Sequence, residues 1–114
     1  MSLQIETSRT ERGLLLIKLY GNITRWGDRF IDDSLIDVLV KQGERELIVD
    51  LSGVAQMDSS GVQMLYEWFA NLRQAGGELH LVGANARVAR LFRVTRLDTV
   101  LKFYSSIAQA SDAF

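Results

Sequence analysis

Asp58, Ser59 and Ser60 stand side by side in Met57-Asp58-Ser59-Ser60-Gly61, the densest concentration of chemically capable side chains in the chain. An apolar run ending at Asp50 and a short polar connector precede them, and a strongly amphipathic pattern follows. That order reads as strand, turn, helix. A hydroxyl beside a carboxylate at the mouth of a helix is well placed to receive or lose a phosphate. The first turn of a helix has unpaired N–H groups and a partial positive charge. Asp58, Ser59 or Ser60 is equally suited to cap the helix by accepting from those N–H groups. The two roles are compatible, since a serine can cap and still be modified.

Other chemistries find little support. A nucleophilic serine needs an activating base and an oxyanion site. The only histidine, His80, sits between Leu79 and Leu81 in strand context, where a partly exposed strand residue is expected, and no G-x-S-x-G elbow is present. No G-x-x-x-x-G-K-[ST] loop occurs. Asp50 and Asp58 are two isolated carboxylates, better explained by capping or solvation than by a metal pair. The chain has 0 Cys, which excludes disulfides and thiolate metal sites. No cofactor and no metal are expected.

The 114 residues suit one domain, 1–114, able to bury about two-thirds of its unfolded surface. Thirteen basic and 14 acidic residues give a formal charge of −1. Direct nucleic-acid binding is therefore not expected. The longest apolar run, 14–17, is too short to span a bilayer, and the N-terminus lacks a signal-peptide pattern. These features predict a soluble cytoplasmic protein without membrane insertion.

The elements that must position the serines follow from periodicity. Residues 3–8 and 14–20 read as a hairpin around Glu11-Arg12-Gly13, with Gly21 ending the second strand. Ile31, Leu35, Val38 and Leu39 recur at helical spacing, Asp28 and Asp32 favour the helix start, and Gly43 can close its end. Residues 47–51 form a continuous apolar run, as in a buried parallel strand. Val62, Leu65, Phe69 and Leu72 define the clearest helix, stopped by Gly76-Gly77. A strand at 78–82, a helix capped by Asn85 with Val88, Leu91 and Phe92, a short strand at 100–104 and a terminal helix capped by Ser105 or Ser106 complete the order ββαβαβαβα. The fold class is α/β: a mixed, mostly parallel sheet of four to five strands with an N-terminal hairpin and about four helices packed on it.

DLSGVAQMDSSGVQML resembles the signature of the STAS domain family, specifically its bacterial anti-sigma factor antagonists. Gly21 after the second strand, Gly76-Gly77-Glu78-Leu79, and the segment from Phe92 to Ser106 resemble the family elsewhere, so the similarity covers nearly the whole chain. The resemblance implies a binding switch and not an enzyme. An antagonist of this kind binds a serine-kinase anti-sigma factor, ATPase-like, and frees the sigma factor. The kinase phosphorylates the serine after the Asp, here Ser59, which releases the antagonist, and a serine phosphatase resets it. Asp58 matches the acid beside that serine, and Ser60 and Gly61 match the positions that open the helix. The alternative reading is a STAS subunit of a stress-signalling scaffold or of a lipid or anion transport complex.

Two stretches differ from the family pattern. Where the family often has a small-residue, Pro-containing segment, this chain has Asn22-Ile23-Thr24-Arg25-Trp26-Gly27-Asp28-Arg29-Phe30, which resembles a partner-facing loop. Asn22, Thr24 and Trp26 are candidate partner contacts on that ground. Arg96 replaces the glycine often found before Leu-Asp, which bears on backbone geometry. Met64 and Trp68, spaced i,i+4, suit either an exposed pair for a partner helix or a wider core-facing arc. Arg87, Arg90, Arg93 and Arg96 recur every three residues, as a solvated helix face or as a basic patch for an acidic partner.

Overall fold

A computed structural model of the protein describes residues 4–24 and 35–114. Strand β1 (Gln4–Arg9) pairs antiparallel with β2 (Leu15–Ile23), and β2, β3 (Glu46–Met57), β4 (Glu78–Val82) and β5 (Lys102–Tyr104) continue in parallel, giving the sheet order 1-2-3-4-5. Helices α1 (Leu35–Lys41), α2 (Ser59–Gln74) and α3 (Ala86–Val94), then a single 3₁₀ turn (Leu97–Thr99) and α4 (Ile107–Asp112), connect and follow the strands. This is the α/β class expected from the sequence, and the strands and helices among the described residues follow the expected order.

Burial explains why the strands look as they do. Leu47, Val49 and Leu51 of β3 face one core with Ile17, Leu19, Leu79 and Leu81, and α1, α2 and α3 cover it. Ile48 and Val82 point to the opposite face, where Ala110, Ile107 and Phe114 cover them. A strand covered on both faces has no polar alternation, hence the continuous run.

Several expectations are corrected. Strand β2 does not end at Gly21. It runs to Ile23 through register irregularities between Lys18 and Tyr20 and between Gly21 and Asn22. Strand β3 likewise runs to Met57, so the polar connector is strand. Pairing with β4 stops at Asp50–Val82, while pairing with β2 continues to Ile23–Met57. Beyond Asp50 the only neighbour of β3 among the described residues is β2: Val54 is buried, whereas Ser52, Ala55 and Gln56 are exposed. Such a segment looks polar in sequence. Gly53 makes this β2–β3 arm feasible, because a Cβ there would lie 2.6 Å from the Leu19 carbonyl oxygen.

In α1 the buried residues are Ile36 and Leu39, and Val38 is exposed. Ile31, Asp28 and Asp32 lie outside the described residues. Gly43 (φ 93°) closes this helix as expected: the Glu44 N–H donates to the Leu39 carbonyl and the Gly43 N–H to that of Val40, both at 3.0 Å. His80 is fully buried, not partly exposed. Its Nδ1 donates to the Ala110 carbonyl at 2.8 Å, and the Phe114 ring stacks on it at 3.8 Å. Ser106 caps α4, its Oγ accepting from Gln109 N–H at 3.1 Å.

Candidate functional site

Helix α2 begins at Ser59, at the end of the β2–β3 arm. Asp58 is its N-cap, with extended backbone (φ −116°, ψ −171°). One carboxylate oxygen, Oδ1, accepts from the Ser60 N–H at 2.9 Å and from the Ser60 hydroxyl at 2.5 Å. The Asp58 carbonyl accepts from the N–H groups of Gly61 and Val62, at 3.0 and 3.3 Å. This one residue therefore organises the first turn through both backbone and side chain.

The two serines fare differently. Ser60 is half-buried and its hydroxyl is held by Asp58. Ser59 is exposed, and its hydroxyl makes no hydrogen bond to a described residue. No acidic residue other than the cap stands in the first turn. The positive end of the helix dipole is thus presented beside an accessible hydroxyl.

Gly61 is required for more than opening a helix. A Cβ there would lie 2.5 Å from Met57 Cγ, 2.8 Å from Ile23 Cγ2 and 3.0 Å from the Ile23 carbonyl oxygen. The Asp58 N–H donates to that same carbonyl at 3.1 Å. The end of β2 is thus clasped to the first turn of α2, which brings half-buried Asn22 and Thr24, on either side of Ile23, next to the Asp58–Ser59 turn. Trp26 lies outside the described residues. Met64 is half-buried against the core. Trp68 is only 2% exposed, so it belongs to the core-facing arc with Val62, Leu65 and Leu72 and offers nothing to a partner. Phe69, expected in that stripe, packs on its margin.

Two supports escaped the sequence reading. Ile23, which the resemblance puts in a partner-facing loop, is instead a buried residue at the end of β2. Asn85 was recognised as a cap, and its Oδ1 does accept from Val88 N–H at 2.9 Å. Its Nδ2 also donates to the carbonyls of Val54 and Ala55, at 3.1 and 3.3 Å, tying the start of α3 to the arm that carries the serines. Asp50, the other carboxylate, is buried in the sheet and accepts from Ser52 N–H at 2.9 Å, a separate structural role.

Residues 5–110 match the STAS domain model. The chain belongs to the STAS domain family. Among curated STAS relatives, the anti-sigma-B factor antagonist of Staphylococcus aureus is 31% identical over 104 residues, covering 89% of this chain and 92% of that protein. A putative anti-sigma factor antagonist from Thermotoga maritima has the same fold, with a TM-score of 0.80 at 20% identity over 96% of this chain and 92% of the other. The Bacillus protein SpoIIAA is similar in both its unphosphorylated form (TM-score 0.69, 17% identity, 96% of each chain) and its phosphorylated form (TM-score 0.70, 20% identity, 96% of this chain and 98% of the other). No helix among the described residues is long and apolar enough to cross a membrane.

Proposed function

We propose that this STAS protein is an anti-sigma factor antagonist that binds a serine-kinase anti-sigma factor while unphosphorylated, is released when that kinase phosphorylates Ser59, and is reset by a serine phosphatase. The observation that carries this reading is the contrast between the serines: Ser60 gives its hydroxyl to Asp58, whereas the Ser59 hydroxyl is exposed. The relatives named as anti-sigma factor antagonists support the partner class.

Release follows from electrostatics. A phosphate adds about −1.5 to −2 charge to Ser59. The amino end of α2 tolerates it within the chain, but it stands next to Asp58 and against whatever surface docks there. Like charges forced together across an interface cost several kcal/mol, and each 1.4 kcal/mol is about tenfold in affinity. The domain need not refold. SpoIIAA keeps this fold in both its unphosphorylated and phosphorylated forms, which accords with release by charge and bulk.

Incubation with ATP and the kinase, followed by phosphopeptide mapping, tests the acceptor: phosphate on Ser59 is expected, and phosphate on Ser60 overturns the assignment. Ser59→Ala should abolish phosphorylation and keep binding, while Ser59→Asp should weaken binding about tenfold or more. Equal binding by Ser59→Asp and wild type would refute release by charge.

A further inference from the structure

We infer that the outer face of α3 is a second docking surface of this chain, and that its occupant is an acidic surface on the kinase that acts on Ser59. The inference rests on the function proposed above and extends it to a face that the switch serine does not explain.

Val88 and Phe92 bury one side of α3. The exposed residues Arg87, Arg90, Arg93 and Val94 fall within about a third of the helix circumference at 3.6 residues per turn. Arg96 follows immediately, also exposed. None of these four arginines forms an ion pair with a described residue, so their charge is not neutralised within the described chain. The chain as a whole carries −1, so the concentration of positive charge is local. Every cation on the face is arginine, whose planar fork matches carboxylates better than a lysine does.

Val94 is 70% exposed and Val100, just past the 3₁₀ turn, 41%. Exposed apolar side chains thus adjoin the arginines at the C-terminal end of the face, and protein interfaces combine apolar and charged groups in this way. The face offers no aromatic residue on which a base could stack, which argues against single-stranded nucleic acid. It lacks the bulky apolar side chains of a membrane-surface helix.

The backbone adds an independent sign. Arg96 is the only non-glycine residue with positive φ among the described residues (φ 61°, ψ 16°), in the left-handed conformation that favours glycine. Strain of this kind is characteristic of functional sites. Position favours the same partner as Ser59. Parallel strands β3 and β4 deliver α2 and α3 from the same end of the sheet onto the same core, and Asn85 ties the start of α3 to Val54 and Ala55. The arginine face therefore starts, at Arg87, from the same edge of the sheet that carries Ser59.

The test compares kinase affinity for wild type, the charge reversal Arg87→Glu/Arg90→Glu/Arg93→Glu, Val94→Ser and Arg96→Gly, at about 50 and 300 mM salt. All replaced side chains are exposed, and far-UV circular dichroism verifies folding. The reversal should weaken binding at least about tenfold and remove most of its salt dependence, and Val94→Ser should weaken it about threefold or more. Arg96→Gly should raise Tm while weakening binding, a combination that a merely structural arginine would not give. If the kinase binds wild type and the reversal alike, this inference falls and the function of Ser59 stands. If the kinase neither binds nor phosphorylates wild type, both fall. Wild-type binding to duplex DNA or to phosphatidylserine vesicles, lost in the reversal, would overturn the choice of a protein partner.

Discussion

Two adjacent hydroxyls open α2, and the Asp58 carboxylate separates their fates by holding Ser60 and leaving Ser59 to solvent. The sequence placed a capping acid and a modifiable serine at this turn. It could not assign the cap to Asp58 rather than to either serine, because all three are good caps. Gly61 was visible as a residue that opens a helix, but its closeness to the Ile23 carbonyl depends on a strand partner that no local pattern reveals. Its packing gives a prediction at this scale. Gly61→Ala must push aside Met57 and the Ile23 backbone, at a cost of about 1–3 kcal/mol. Thermal melts should show a lower Tm, even though alanine favours helix over glycine by about 1 kcal/mol. An unchanged or raised Tm would mean that the clasp between β2 and α2 is loose.

Among the elements, periodicity served best where burial is uniform along a face. Helix α2 and the continuous part of β3 were legible for that reason. The arm beyond Asp50 was not, since β2 is its only neighbouring strand among the described residues and its exposed side resembles a loop. In α1 the helical spacing selected Val38, but the docked helix turns Ile36 inward instead. Trp68 fitted two faces of α2 by sequence, and packing decided in favour of the core. Trp68→Ala should therefore destabilise the fold by about 3–5 kcal/mol, measured by urea denaturation. A loss of partner affinity without a loss of stability would restore the exposed-pair reading.

Across the whole molecule, long-range contacts set what sequence could not anticipate. His80 is buried by Ala110 and Phe114, about thirty positions away along the chain, and no window around His80 announces them. Ion pairs add a pH dependence. The bond from Arg9 lowers the Glu44 carboxyl below its ordinary 4.5, against a weaker opposing push from burial. Burial pushes Glu78 upward, but the bond from Lys102 and the neighbouring His80 together bring it down. A carboxyl lowered in the folded state stabilises fully above its unfolded value and ceases to do so as pH falls through its folded value. Wild type should therefore lose its Tm advantage over Glu44→Gln as pH drops below 4.5, and an advantage that persists in acid would contradict the pairing.

The one-sided pairing of β3 beyond Asp50 has a kinetic consequence. Native-state hydrogen exchange should divide β3 in two: amides at 47–50, held between two strands, exchange only on near-global opening, whereas those at 54–57 exchange faster through local fraying. Equal protection along the strand would contradict this. The turn that carries Ser59 thus hangs from the least protected part of a strand whose root is deeply protected. A kinase could draw the already exposed Ser59 further from the sheet for a fraction of the free energy of unfolding.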